Sequence, residues 1–449
     1  MNKKERTRET VSLFMNIVII GIISLFFYYI WYKYYRPRVF FWQKGNWLIL
    51  GVYFFSLVLF NSIFGGFRLG YAKTRDLIFS QTLALGFANI IVFIETIIAR
   101  KVILPVGGFL GYYAVEIVLT VIINFIANKI YYFIFPARKT VLIYGEDYSS
   151  IYEQIMRYQA SAYNIDKEIT YDEYEKNKKD ILNYESVMVM GLDVKEKEQL
   201  IHECYEKTIP LYIIPDVYEV IINNARNIYL IDKPILKANN FGPSQLDKIV
   251  KRLFDIFFAL VMLVITSPIL LITAIVIKAY DGGPVLYKQV RLTQYGREFK
   301  ILKFRSMKVD AEKDGKARLA SEHDDRITPV GKFIRSCRID ELPQLINILI
   351  GDMSVVGPRP ERPELIEKIL LDVPEFNYRL KVKAGLTGFA QVYGKYNTKL
   401  KDKLLFDLYY IENFSLLLDL KIMFLTFKIL FIKDSTEGVS DEVSSNNKR

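Results

Sequence analysis

The chain has 449 residues, of which 51% are hydrophobic and 24% charged. That length suggests about three units at roughly 150 residues each. The two fractions fit only a mixed chain, greasy in some segments and ordinarily soluble in others. Wholesale disorder, collagen and a disulfide framework are excluded, since Cys204 and Cys337 are the only cysteines and lie far apart. Two histidines, His202 and His323, argue against a histidine-rich metal centre. A formal charge of +11 favours an anionic partner, whether nucleic acid, lipid headgroup or phosphorylated substrate.

Residues 11–32, 47–65, 77–99 and 107–127 are four apolar runs of spanning length, which predict a four-helix transmembrane bundle over residues 1–136. The basic start (Lys3, Lys4, Arg6, Arg8) imitates a signal peptide. The run behind it is too long for one and lacks a small-residue cleavage site, so it reads as a retained anchor. The third and fourth runs each carry one acid, Glu95 and Glu116. An acid inside a span is costly unless paired or near the interface. With no second charge in the spans to act as a relay, both are expected to face the bundle, bonded to Ser, Tyr or Asn on a neighbouring helix. This disfavours a transporter. Orientation is balanced by charge alone, because the loop after the first run is also basic (Lys33, Arg36, Arg38, Lys44). Four spans place the N-terminus and everything after residue 136 on one side, taken as the cytoplasm.

From Arg138 the pattern turns polar. Residues 140–144, 186–190 and 210–214 read as short buried strands with charged helical stretches such as 195–207 between them. This is the rhythm of a small parallel α/β sheet, so residues 137–245 are predicted to form a Rossmann-like domain. A dinucleotide loop needs glycines at its first, third and sixth places. Here Gly145 is followed by Glu146-Asp147-Tyr148-Ser149-Ser150, with two acids where an anion would bind. No bound NAD is expected, and a regulatory or spacer role is the default.

Residues 256–265 and 269–277 are apolar on either side of Thr266-Ser267-Pro268. Proline inside a helix removes one backbone hydrogen bond and crowds the carbonyl four residues back, here Val264. Ser267 is placed to return some of that bonding. Each half is too short to span alone. A kinked hairpin re-entering one leaflet and a plain kinked span are equally compatible with these residues.

Beyond Gly283-Pro284 basic residues crowd among small and aromatic ones: Gln289-Val290-Arg291, Gly296-Arg297-Glu298-Phe299, Lys303-Phe304-Arg305-Ser306-Met307, Arg335, Arg338-Ile339-Asp340-Glu341-Leu342-Pro343-Gln344, Gly357-Pro358-Arg359-Pro360, Gly385-Leu386-Thr387-Gly388 and Asp407-Leu408-Tyr409-Tyr410. Singly, each reads as a surface feature. Together they are equipment for phosphoryl transfer. Arginines clamp phosphate oxygens in pairs, glycine turns let backbone amides approach, and a carboxylate pair can hold Mg²⁺ or attack phosphorus. Arg359 stands between two prolines that restrict its backbone.

Through Lys251-Arg252-Leu253-Phe254-Asp255, Ser267-Pro268, Lys303–Met307, Asp340–Gln344, Gly357–Pro360 and Gly385–Gly388, residues 246–433 resemble the bacterial sugar transferase family, the monotopic phosphoglycosyl transferases. The four-span start and α/β middle look like its large, three-part members. Phe389, where many members carry Trp, and the degenerate glycine loop are departures. The resemblance implies transfer of a phosphosugar from a UDP-sugar to polyprenyl (undecaprenyl) phosphate with release of UMP, initiating surface polysaccharide assembly. It implies Asp340 as nucleophile, forming an aspartyl-phosphosugar, with Glu341 assisting and Mg²⁺ held in part by Asp340. Lys303, Arg305 and Arg359 become candidates for phosphate contacts, and Asp419 a further acid of less defined role. A re-entrant helix kinked at Ser267 and Pro268 is implied too, which keeps residues from 280 onward on the cytoplasmic face of a bacterial inner membrane. The expected partners are the UDP-sugar, the lipid phosphate and the bilayer; a homodimer is allowed and nucleic acid is not expected. Lys421 and Lys428, seven apart in residues 415–432, suit a helix lying on the membrane, with an ordinary core helix as the alternative. The tail 434–449 is polar and expected to be disordered. Competing readings are a non-catalytic assembly or regulatory protein and a flippase. The sugar is not legible.

Overall fold

The computed structural model describes the chain except residues 1–2, 36–42, 102–105, 146–161, 239–241, 310–323, 325, 395–397 and 431–449. The acids after Gly145, Arg36, Arg38, His323 and the polar tail therefore lie outside the described residues. The rest divides into two compact units, Met1–Ile214 and Pro215–Arg449.

In the first unit, helices α1 (Lys3–Ile30, continued by a π turn Trp31–Tyr35), α2 (Gln43–Phe64), α3 (Thr74–Arg100) and α4 (Val106–Ile134) contain the four apolar runs. All four are long and apolar enough to cross a bilayer. Their polarity is inverted relative to a water-soluble bundle. Asn16, Asn61, Gln81, Thr120 and Asn124 are buried, while Phe55, Ile98 and Phe133 face outward. Lipid offers no gain for burying an apolar side chain, so polar groups turn inward and find one another. Asn124 donates to Gln81 (2.7 Å), which donates to the Gly66 carbonyl (2.9 Å). Glu116 is fully buried and accepts from Tyr53, Tyr112 and Asn89, the bundle-facing arrangement expected of it. Glu95 is half-buried, and its Oε2 has no hydrogen-bond partner among the described residues.

Strands β1 (Arg138–Tyr144), β2 (Tyr163–Thr170), β3 (Ser186–Met190) and β4 (Leu211–Ile213) pair in parallel in the order β2-β1-β3-β4. Helices α5 (Tyr171–Lys176) and α6 (Val194–Glu206) lie between them in sequence, both opened by capping boxes, at Thr170 and Asp193. A Cβ on Gly145 would stand 2.2 Å from the Gly191 carbonyl, so the ends of β1 and β3 approach closely only because that residue is glycine. Buried ion pairs tie this sheet to the start of α1. Arg138 meets Glu5 (2.5 Å) and Arg8 meets Glu185 (3.0 Å).

The second unit opens with α7 (Val217–Asn223) and the hairpin β5–β6 (Arg226–Leu230, Lys233–Lys237). Val217 and Val220 pack on this unit's core, so residues 215–245 belong to it rather than to the preceding sheet. Helix α8 (Gln245–Asp281) follows, capped by Ser244 and stopped by Gly282 at φ +71°. It is 37 residues long, helical through Pro268, and a fifth helix apolar enough to cross a bilayer. Ser267 Oγ donates to the Val264 carbonyl (2.8 Å), the acceptor that Pro268 leaves without its N–H.

The antiparallel pair β7 (Leu286–Leu292) and β8 (Glu298–Phe304) comes next. Helices α9 (Pro329–Ser336) and α10 (Gln344–Ile350) follow, then β9 (Ser354–Val356) and α11 (Pro363–Asp372). A 3₁₀ stretch (Pro374–Lys381), β10 (Gly385–Thr387), α12 (Phe389–Tyr393), α13 (Leu400–Glu412) and α14 (Leu416–Ile429) complete the described fold. β10 pairs in parallel with β9. The core joins Phe299 and Ile301 of β8, Leu345 and Ile348 of α10, β9, and Leu404, Leu408 and Ile411 of α13. Helix α14 packs into this core through Asp419, Ile422 and Leu425 and leaves Leu417, Phe427 and Leu430 exposed. Along that face it packs as a core helix.

Candidate active site

Thr328 caps α9 through the Gly331 N–H (2.9 Å), and Pro329 occupies its first turn. The helix ends before Arg338, whose φ of +54° turns the chain sharply into the 3₁₀ stretch Ile339–Glu341. That turn presents Asp340 and Glu341 side by side. Lys303 arrives from β8 and Arg359 from the loop after β9, and both reach the same oxygen, Glu341 Oε1, at 2.9 and 3.0 Å. Four of the sequence-predicted residues, Lys303, Asp340, Glu341 and Arg359, thus come together.

The two carboxyls are driven apart electrostatically. Burial pushes Asp340 up, the neighbouring Glu341 charge adds to this, and Lys303, Arg335 and Arg359 offset only part, leaving Asp340 at about 6. Burial also acts to raise Glu341, but Arg359 and Lys303 outweigh it and hold that carboxyl far below the usual range. The result is one permanently ionised carboxylate, spent on two cations, beside a second whose ionised form is made reactive by burial. A pair divided in this way is a signature of acid, base or nucleophile chemistry. Asp340 makes no ion pair among the described residues.

The glycine motifs bring β9 and β10 into contact behind Arg359. A Cβ on Gly385 would lie 2.1 Å from Gly357 N, and one on Gly357 would lie 2.3 Å from the Lys383 carbonyl. Only hydrogen at both positions allows the Gly357–Pro358–Arg359 turn to sit this close to the Gly385–Gly388 segment.

Two sequence-predicted residues serve elsewhere. Arg305 is almost fully buried and forks onto Asp281 at the end of α8, one arm at 2.8 Å. It fixes the helix and does not reach the Asp340–Glu341 pair. Asp419, fully buried, pairs with Lys251 (2.7 Å), which also holds Asp255 (3.1 Å), and accepts from Tyr410 (2.8 Å). Asp255 in turn accepts the Val355 N–H (3.1 Å). This cluster binds the base of α8 to β9, α13 and α14. Arg335, in the last turn of α9, also acts on Asp340; in sequence it reads only as one more basic residue, and its place five residues before Asp340 is the available signal.

Among the described residues no three His, Cys, Asp or Glu side chains assemble a metal cage. Mg²⁺ does not require one, because it is commonly held by one or two carboxylates together with substrate phosphates and water. Asp340, without an ion pair among the described residues and beside Arg359, fits that donor set.

A family model described as bacterial sugar transferase matches residues 246–433. The chain is 38% identical over 238 residues to the UDP-N-acetylgalactosamine-undecaprenyl-phosphate N-acetylgalactosaminephosphotransferase of Aeromonas hydrophila, covering 52% of this chain and 55% of that protein. It is 38% identical over 243 residues to the UDP-glucose:undecaprenyl-phosphate glucose-1-phosphate transferase of Klebsiella pneumoniae, covering 53% and 52%. It is 40% identical over 191 residues to the exopolysaccharide production protein PSS of Rhizobium leguminosarum bv. phaseoli, covering 40% of this chain and 94% of that one. The match thus spans about half the length of the first two and nearly all of the third. The matched region contains the whole Lys303–Asp340–Glu341–Arg359 cluster, and the chain belongs to the bacterial sugar transferase family.

Proposed function

We propose that this chain transfers a phosphosugar from a UDP-sugar to undecaprenyl phosphate, releasing UMP through a covalent aspartyl-phosphosugar on Asp340. The observation that carries the proposal is the division of labour between Asp340, half-buried and without an ion pair among the described residues, and Glu341, locked by Lys303 and Arg359. In the first half, an Asp340 oxygen attacks the phosphorus that bears the sugar. The bond from that phosphorus to the bridging oxygen breaks, and UMP leaves with the oxygen. In the second half, a phosphate oxygen of the lipid attacks the same phosphorus and the Asp340 carboxylate departs, leaving a lipid diphosphosugar. Arg359 and Lys303 hold Glu341 and stand where negative charge gathers on the diphosphate. Mg²⁺, with Asp340 as a ligand, would supply charge screening of that diphosphate.

A membrane-level active site follows from the acceptor's chemistry, because its phosphate lies at headgroup depth. A re-entrant α8 suits that need, and its two ends support it. Near the start, Arg252 donates to the Ile348 and Leu349 carbonyls (2.6 and 2.7 Å) and Asp255 holds β9; at the end, Asp281 holds Arg305 of the loop after β8. Ala259 joins the cluster containing Phe299, and Ile277 the one containing Phe304. Both ends thus rest on one body, whereas a spanning helix would part them. We assign residues 1–136 to a four-helix transmembrane bundle and the parallel sheet that follows to a Rossmann-like domain, with the catalytic unit on the cytoplasmic face of the inner membrane. The sheet order β2-β1-β3-β4 is that of a doubly wound fold. Incubating membranes with Mg²⁺, undecaprenyl phosphate and UDP-glucose, UDP-galactose or their N-acetyl forms should release UMP with at least one sugar. No release with any of them would overturn the proposal.

A further inference from the structure

Arg359 has to stand still to do its work, and a second arginine holds the backbone behind it. The Arg359 carbonyl accepts from Arg379 Nη2 (3.0 Å), the Pro360 carbonyl from Arg291 Nη1 (3.2 Å), and the Glu361 carbonyl from Leu292 N (3.0 Å). Arg379 comes from the 3₁₀ stretch Pro374–Lys381 and is 5% exposed. It lies over the Phe376 ring, pairs with Asp407 of α13 at 2.9 Å, and stands 3.8 Å from Glu361. Asp407 is itself 1% exposed. A buried guanidinium needs a carboxylate partner, but nothing in that need directs another donor to a neutral carbonyl. Here that donor meets the carbonyl of a residue whose own side chain reaches Glu341.

We propose that Arg379, oriented by Asp407, is a positioning residue that fixes Arg359 against Glu341. The prolines on either side of Arg359 limit its backbone, and Arg379 Nη2 anchors the carbonyl between them, so that the side chain extends from a fixed Cα. Lysine does not replace it, because Asp407 and the Arg359 carbonyl are both met by one nitrogen, Nη2, at the tip of a guanidinium held over the Phe376 ring, and a shorter, freely rotating ammonium has no such plane to fix it there. The catalytic consequence rests on the phosphosugar-transfer reading; the positional claim does not.

Two measurements test it. The first is the rate at which phenylglyoxal modifies Arg359 in the full-length, membrane-embedded protein, followed by peptide mass analysis. An arginine paired with a carboxylate reacts slowly. In Arg379→Lys the Arg359 rate should rise about tenfold, the factor that one charge-assisted hydrogen bond is worth, while modification of Arg252, held by the Ile348 and Leu349 carbonyls, stays unchanged. Asp407→Asn should give a smaller rise at Arg359 only. An unchanged Arg359 rate in both variants overturns the proposal. The second is a double-mutant cycle on UMP release from UDP-glucose and UDP-N-acetylgalactosamine with undecaprenyl phosphate. Arg379→Lys should lower kcat/KM about tenfold alone and cause no further loss in an Arg359→Ala background, because it acts through Arg359. Additive losses would show that Arg379 acts by another route. If the unmodified protein releases no UMP from these two donors or from UDP-galactose and UDP-N-acetylglucosamine, the transfer reading fails, and the labelling rates still decide whether Arg379 positions Arg359.

Discussion

The titration of Asp340 makes a prediction about rate and stability at once. Its carboxyl is raised from an ordinary 3.8 to about 6, chiefly by burial and then by Glu341. If its carboxylate is the nucleophile, about nine-tenths is competent at pH 7 and about one-tenth at pH 5, so the first half-reaction should slow about tenfold between them. A carboxyl at its ordinary value would leave the rate nearly unchanged over that interval. Stability runs in the opposite sense. The folded state binds this proton more tightly than the unfolded chain, so the contribution is full below pH 3.8 and lost as pH rises through about 6. The shift corresponds to at most about 3 kcal/mol of destabilisation at neutral pH. Asp340→Asn should therefore abolish the reaction, yet raise the thermal midpoint at pH 7.5 by several degrees, a gain that disappears towards pH 4. The assays are initial UMP release between pH 5 and 8, and unfolding of purified protein in detergent over the same range. A rate that is flat from pH 7 to 5, or an Asp340→Asn protein less stable than the original at pH 7.5, would refute the reasoning.

Incubation with Mg²⁺ and the accepted UDP-sugar alone should add one phosphosugar to the peptide containing Asp340, and Asp340→Asn should carry none; an adduct on another peptide would remove Asp340 from the mechanism. Chelation of divalent metal should stop UMP release and added Mg²⁺ restore it, whereas undiminished release in chelator would remove the metal from the proposal. In a Cys337→Ser background, cysteines placed at Asp232 and Lys288 should label from the same side of the membrane, since both ends of α8 hold one body; labelling from opposite sides would mean that the helix spans. Lys251→Met should lower stability by about 3–5 kcal/mol, because Asp255 and Asp419 lose their common cation in a dry site; a midpoint shift of less than a degree or two would mean the cluster is solvated.

Periodicity and length alone determined the long elements. Residues 11–32, 47–65, 77–99 and 107–127 all lie in long helices, and the strands at 140–144 and 186–190 emerged where short apolar runs met turns, because these patterns reflect a local choice between lipid, core and water. The carboxylate pair and Arg359 were legible too, since Asp340 and Glu341 are adjacent and the prolines around Arg359 are its sequence neighbours. Ser267 offered its hydroxyl to the carbonyl that Pro268 orphans, a contact within one helical turn and so predictable from the sequence. What the sequence withheld was every pairing across long separation. Arg305 resembled a phosphate ligand as closely as Lys303 did, two residues away on the same segment. Residues two apart share a face along a strand, but β8 ends at Phe304, so Arg305 leaves the strand's register and turns to Asp281 while Lys303 meets Glu341. Asp419 and Asp407 read as acids in search of a function. Only the tertiary fold, by burying each beside one distant cation, Lys251 and Arg379, decided that the first holds α8 and the second stands behind Arg359. Burial sets both the cost of an unpaired charge and the identity of its partner, and neither is encoded by near neighbours in the chain.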